Sequence, residues 1–271
     1  MSGGADSLAL LALAIAAGCQ ATAVHVDHGL RAGSAAEADV VRVAAREVGA
    51  GFESRAVGVL PGPDLEARAR AARASVLPRG ALTGHTADDQ AETMLLNLLR
   101  GAGLDGLRGI HPGSTKPLLR VRRAETVAVC AARGWVPVDD PSNRDPSIRR
   151  NRVRHELLPL LDDVGRRDVA AVLARQAALL GDDADLLDAL AGALDPTDAR
   201  ELAAAPLPLG RRAVRAWLRS NGDAEQHPPD GATVERVLAV ARGEAVGTDV
   251  GGGRHVRRSQ GRLHLQVRSD P

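Results

Sequence analysis

The chain has 271 residues, 44% of them hydrophobic, and a formal net charge of +1. That is enough for one domain of about 150 residues plus a smaller one, with real cores. Aromatic residues make up only 1%, so those cores must be built from Leu, Val and Ala.

Two cysteines, Cys19 and Cys130, lie far apart and outside any C-x-x-C pattern. They argue for a reducing cytoplasm and against a disulfide scaffold. The apolar run 8–17 is only about ten residues long, too short to span a bilayer, and without a basic leader it does not read as a signal peptide. Lys116 is the single lysine and every other basic side chain is arginine. A GC-rich coding bias accounts for that as readily as phosphate or RNA contact does.

The first feature of the chain is Ser2-Gly3-Gly4-Ala5-Asp6-Ser7, running straight into an apolar helical stretch. Small residues leave backbone amides open, and a helix N-terminus adds about half a positive charge, so this is an anion seat. Asp6 beside a phosphate requires an intervening cation, which suggests a nucleotide with Mg²⁺. The pattern is neither the G-x-x-x-x-G-K-[ST] loop nor G-x-G-x-x-G.

Further along, 22–26 (TAVHV) reads as a strand, 35–48 as a helix, 52–57 as a weak strand and 64–77 as a helix. A brief strand is expected at 81–83, helices at 86–100 and 124–133, and an extended piece at 135–138. This alternation predicts an α/β fold, a doubly wound parallel sheet with its ligand at the C-terminal strand ends. A turn-rich stretch, 139–146 (DDPSNRDP), closes the first region. Helices are then expected at 151–161, 164–190, 209–220 and 233–242, followed by a hairpin around Ser259-Gln260-Gly261. The expected division is 1–145, 146–245 and 246–271.

Several constellations carry chemistry. His25 alternates with valines and reads as buried and hydrogen-bonded, while Asp27 and His28 fall at the strand end where a ligand would lie; none has metal-ligand spacing for zinc. In 65–73 (LEARARAAR), arginines on a solvated helix compete with a reading in which one or two enter a phosphate site. Thr86 and Asp89 form a capping-box-like start. Asp89 and Glu92, three apart, cluster with Asp88 on one side of the first turn, suited to Mg²⁺ or to an ammonium group. Arg144, Arg149, Arg150, Arg152 and Arg154 crowd into eleven residues, which fits RNA or nucleotide contact.

Taken together, SGGADS, VHVDHGLR, LEARARAAR, GHTADDQAETMLLNLLRGAGLDGLRGI, KPLL, DDPSNRD and RRNRVRHELLPLL resemble bacterial tRNA(Ile)-lysidine synthetase, of the PP-loop pyrophosphatase superfamily. The resemblance is specific from Ser2 to about Leu161 and weaker beyond. It implies a ligase that adenylates C2 of the wobble cytidine of tRNA(Ile) with a CAU anticodon. Free lysine then displaces AMP to give lysidine. By the same resemblance Ser2, Gly3, Gly4, Ala5, Asp6 and Ser7 hold ATP and Asp6 holds Mg²⁺. Asp6, Asp89 and Glu92 serve the chemistry, with Asp89 and Glu92 orienting lysine. Arg70, Asn151, Arg152 and Arg154 meet phosphate or tRNA. Relatives of this type often pair, so the resemblance leaves room for a homodimer, but the sequence does not itself report an oligomeric state.

Two features depart from the family. Thr86 stands where many relatives have a second histidine and caps the helix instead. Relatives also carry a strand leading into the loop, whereas this sequence opens at the loop, so the expectation is a start further upstream. Alternative readings are a PP-loop tRNA thiolase, against which the unpaired cysteines count, and a non-catalytic RNA-binding remnant.

Overall fold

The computed structural model describes residues 1–27, 34–58, 65–222 and 229–267. They form two compact units, Met1–Leu180 and Gly181–Pro271.

In the first unit, α1 (Ala5–Ala16) leads to β1 (Thr22–Asp27), α2 (Ser34–Glu47) and β2 (Gly51–Ala56). The strands pair in parallel from Thr22↔Gly51 to Asp27↔Ala56, with α2 as the crossover. Helix α1 is largely apolar and buries its middle, with Leu8, Ala9, Leu11 and Ala12 at most 4% exposed, while Leu13 reaches the surface. Leu11 packs with Ala23, Val41 and Ala45, and Leu8 packs with Ala44 and Cys130. These cores are the Leu, Val and Ala packing that the composition demands. His25 is buried in β1 and its Nδ1 lies 2.9 Å from the Met1 carbonyl, a structural role.

Beyond β2 come α3 (Leu65–Val76), α4 (Ala87–Leu99), the single turn α5 (Leu104–Leu107) and α6 (Arg123–Ala132). The expected strand 81–83 forms no ladder. The Thr83 amide donates to the Thr115 carbonyl at 2.8 Å, a loop contact, because no strand lies alongside it among the described residues. The extended piece 135–138 likewise forms no ladder: the Val138 amide donates to the Gly3 carbonyl at 3.0 Å and the Trp135 amide to the Cys130 carbonyl at 3.0 Å. The described parallel sheet is therefore two-stranded. A cavity of about 780 Å³ is lined by Thr22, Val24 and Val26 of β1, by Glu53 and Arg55 of β2, by Leu10 and Leu11 of α1, and by Leu82.

The expected helix 151–161 is part of a longer, interrupted one: α7 (Arg149–Arg152), a π turn Val153–Leu157, and α8 (Leu158–Gly165). Pro159 has no N–H to bond back into the preceding turn, which favours the wider register. Val153 and Leu158 pack against Ala91 and Leu95 of α4. The expected helix 164–190 also differs. Arg166 turns left-handed (φ 50°), ending α8, and α9 (Val169–Gly192) starts afresh with Asp168 Oδ1 accepting from the Ala171 amide at 3.1 Å. The division between the units falls inside α9, away from 145/146.

The second unit adds α10 (Ala199–Ala204), α11 (Leu207–Ser220), α12 (Gly231–Arg242), β3 (Gly247–Gly251), β4 (Arg254–Ser259) and β5 (Arg262–Val267). The expected terminal hairpin is β4–β5, and β3 joins it to make a three-stranded antiparallel sheet. Val256 and Leu263 from the sheet share one core with Leu202, Val214, Leu218, Val237 and Leu238, so the strands are not a separate body. No helix among the described residues is long and apolar enough to cross a membrane.

Candidate nucleotide site

The opening loop does what its small residues allow. Gly3 has φ +74°, and a Cβ there would lie 2.7 Å from Val138 Cγ2, so both conformation and space demand glycine. Gly4 caps α1 in extended geometry, with the Ser7 and Leu8 amides bonded to its carbonyl at 3.0 and 3.1 Å. The amides of Ala5 and Asp6 precede those bonds, at the positive end of the helix. Ser7 Oγ donates to the Gly4 carbonyl at 2.9 Å, and Ser2 Oγ lies 3.4 Å away from Ser7 Oγ. A second strand of backbone presses on this turn: a Cβ on Gly84 would sit 2.8 Å from the Asp6 carbonyl oxygen.

Helix α4 brings its carboxylates to the same place. Asp89 Oδ2 accepts from the Thr86 amide at 2.9 Å and from the Thr86 hydroxyl at 3.0 Å, which is the expected cap. Its other oxygen accepts from Arg123 Nη2 at 2.9 Å. Glu92 is 0% exposed, and three guanidinium groups enclose it: Arg123 Nη1 at 3.0 Å, Arg150 Nε at 2.9 Å and Arg154 Nε at 2.7 Å. Arg123 Nε also reaches Asp6 Oδ2 at 3.3 Å, while the Thr126 hydroxyl donates to Asp6 Oδ1. Three carboxylates and three arginines thus interlock with no net charge.

Burial raises the Asp6 pKa above the ordinary aspartate value, against the opposing pull of the Thr126 hydrogen bond and the Arg123 charge. For Arg123, burial works against the cation, but Asp89, Glu92 and Asp6 more than offset it and raise its pKa. A cavity of about 410 Å³ opens over this cluster, lined by Ser2, Gly4, Ala5, Asp6, Ser7, Asp89, Arg123, Asn143 and Arg154.

A PP-loop domain model matches residues 1–161, and a TilS substrate binding domain model matches residues 198–264. Proteins named tRNA(Ile)-lysidine synthase align along nearly the whole chain. That of Nocardia farcinica is 43% identical over 98% of this chain and 90% of its own length. That of Rhodococcus opacus is 41% identical over 98% and 88%. The chain belongs to the tRNA(Ile)-lysidine synthase family. The Mycobacterium tuberculosis H37Rv protein of that name is 40% identical over 94% of this chain and 86% of its own. The U34-tRNA thiolase NcsA from Methanococcus maripaludis, solved with its [4Fe-4S] cluster, superposes with TM-score 0.53 over 67% of this chain and 70% of its own. At 17% identity it shows the shared PP-loop fold alone.

Within this lysidine synthase family fold, the structure sorts the expected site residues. Ser2, Gly4, Ala5, Asp6, Ser7, Asp89 and Arg154 meet around one cavity, with Gly3 shaping the loop behind them. Glu92 belongs to the cluster but lies behind its arginines, with both oxygens taken. Asn151 is 6% exposed and its amide donates to the carbonyls of Ser142 (2.7 Å) and Asp145 (2.9 Å), so it clamps the preceding turn. Arg152 lies apart, on the exposed side of α7 in an ion pair with Glu156 at 2.8 Å. The Arg70 side chain and His28 fall outside the described residues.

Sequence reasoning missed Arg123 and Thr126. One signal for Arg123 was available: it occupies the first position of α6, where a cation opposes the helix dipole, an arrangement without structural reward.

Proposed function

We propose that the chain uses ATP to activate C2 of the wobble cytidine of tRNA(Ile) bearing a CAU anticodon, then joins the ε-amine of free lysine to that carbon. AMP and pyrophosphate leave, and the product is lysidine at position 34. The observation that carries this reading is the juxtaposition of the Ser2–Ser7 loop, Asp6, Asp89, Arg123 and Arg154 around one cavity of about 410 Å³. Membership of the lysidine synthase family supplies the substrates.

The loop amides and the hydroxyls of Ser2 and Ser7 are placed to hold phosphate oxygens at the helix N-terminus. Asp6 suits a Mg²⁺ ion that takes its other ligands from phosphates and water, since such sites use one or two carboxylates. Its Oδ1 is steadied by Thr126 and its Oδ2 carries only the long Arg123 contact. Held there, Mg²⁺ would neutralise phosphate charge. Arg154, projecting from the π turn, places a fixed positive charge at the cavity wall.

Of the two carboxylates expected to receive lysine, Asp89 is the one that lines the cavity, and it would orient the ammonium group. Glu92 acts as a positioning residue for the arginines. The amine, with an unperturbed pKa near 10.4, must shed a proton before it attacks. Arg150 and Arg154 come from beyond residue 145, so the catalytic part of the chain extends into the helical stretch. In this reading the region 198–264, matched by a substrate binding domain model, would read the anticodon, a single-stranded loop whose bases can be splayed. The reading places the protein in the cytoplasm with its tRNA.

Purified chain incubated with ATP, Mg²⁺, labelled lysine and the CAU tRNA should incorporate lysine. Asp6→Ala should abolish incorporation while keeping tRNA binding. Sulfur transfer in place of lysine incorporation would support the thiolase reading, and tRNA binding without turnover would support a non-catalytic one. Cys19 is exposed and Cys130 is buried, and both are free thiols.

A further inference from the structure

We propose that Arg123 is a transferable counter-ion: it neutralises Asp6 in the nucleotide-free chain, and it turns to the phosphates when nucleotide and Mg²⁺ arrive at Asp6. This rests on reading the cavity as an ATP site.

The guanidinium makes three carboxylate contacts of unequal strength. Those to Asp89 and Glu92 are 2.9 and 3.0 Å, whereas the Nε contact to Asp6 is 3.3 Å. The longest is the weakest, and its release leaves the side chain anchored by the other two. Asp6 does not depend on Arg123 to hold its direction, because the Thr126 hydroxyl donates to its other oxygen. Arg123 lines the same cavity as the Ser2–Ser7 loop, with a quarter of its side chain exposed, so a donor freed from Asp6 stays beside that loop.

Charge supplies the reason for a transfer. Asp6, Asp89 and Glu92 balance Arg123, Arg150 and Arg154, so the closed side-chain cluster adds no net charge to the pull of the loop amides on a triphosphate. Each guanidinium donor aimed at a carboxylate is also withheld from phosphate. A divalent cation at Asp6 replaces the partial neutralisation Arg123 supplies there and liberates its Nε edge. The other two arginines are placed differently. Arg150 bonds Glu92 and the Thr93 hydroxyl, and Arg154 bonds Glu92 and lies 3.8 Å from Asp89. Among the described residues, Arg123 is the cation bridging the opening loop to α4.

The test is calorimetric titration of the full chain with a non-hydrolysable ATP analogue across a range of Mg²⁺ concentrations, for wild type, Arg123→Gln and Arg123→Lys. Arg123→Gln should bind the analogue roughly tenfold more weakly at saturating Mg²⁺, having lost a charged phosphate donor. It should nevertheless reach half-maximal binding at several-fold lower Mg²⁺, because Asp6 has lost its competing cation. Arg123→Lys keeps the charge without the three-way reach and should fall between the two on both measures.

A part that only braced the fold would weaken both together. A Mg²⁺ midpoint that is unchanged or higher in Arg123→Gln, or an unchanged affinity, overturns the proposal. Glu92 retains Arg150 and Arg154 in that variant. Should it nonetheless melt without cooperativity, the same two comparisons on Arg123→Lys decide. A wild-type chain that binds no analogue at any Mg²⁺ concentration removes the ATP reading and this proposal with it; normal wild-type binding with an unshifted midpoint in the variants removes this proposal alone.

Discussion

Glu92 shows how one residue can serve a site without facing it. Its carboxylate is wholly enclosed and holds three guanidinium groups, two of which, on Arg123 and Arg154, line the cavity. Burying a lone carboxylate is very costly, and here charge-assisted hydrogen bonds to both oxygens make it tenable. Removing one partner of such a cluster leaves uncompensated charge behind, at a cost of about 3–5 kcal/mol. Glu92→Gln should therefore lower the denaturant midpoint of the unit Met1–Leu180 and also weaken nucleotide binding, as both arginines lose their shared anchor. Retained stability with retained nucleotide affinity in equilibrium unfolding and binding assays would show that Glu92 does not organise them.

Among elements, α4, α6 and the start of α9 are tied by one ion-pair chain. Arg122 donates to Asp88 through Nε (3.0 Å) and Nη2 (2.9 Å) and also to Asp168, which caps α9. Asp88 in turn accepts from the Arg123 amide at 2.7 Å, satisfying the N-terminus of α6 from outside that helix. Burial acts to raise the Asp88 pKa, but the hydrogen bonds from Arg122 and the Arg123 amide win and hold it below the ordinary aspartate value.

A carboxylate whose pKa is depressed on folding adds stability that is complete above its unfolded pKa of about 3.9. That stability disappears as pH falls through the folded value. Asp88→Asn should cost about 1.5–3 kcal/mol at pH 7. It should also flatten the loss of stability expected below about pH 4. Urea unfolding as a function of pH measures both, and an acid limb identical to wild type would remove Asp88 from the account.

Over the whole molecule, the two compact units carry separate cores. That of Gly181–Pro271 centres on Val214, Leu218, Val237, Val256 and Leu263, joining helices to the terminal sheet. Leu263 is 2% exposed, so Leu263→Ala removes buried apolar volume and should cost about 2–5 kcal/mol. In differential scanning calorimetry the loss should fall on one transition, with nucleotide binding by Met1–Leu180 retained below it. Uniform loss of both transitions and of nucleotide binding would show that the units melt as one.

The first two strands with the helix between them, the glycine turn leading into α1, the Thr86–Asp89 cap and the burial of His25 were legible from the chain alone. Each depends on neighbours within a few residues, where backbone geometry and periodicity decide the outcome. The same local signals placed helices at 151–161 and 164–190 but not the π turn, which Pro159 favours and the packing of Val153 and Leu158 on α4 accompanies, nor the left-handed break at Arg166. An arginine-rich run looked like one surface, yet Arg150 and Arg154 turn inward to Glu92 while Arg152 pairs with Glu156 outside. The meeting of Asp6 with Arg123 joins residues 117 positions apart. What the sequence by itself determined was the family, and with it the class of chemistry. Tertiary structure alone decided which charges neutralise one another, because that depends on distances between groups that no local pattern encodes.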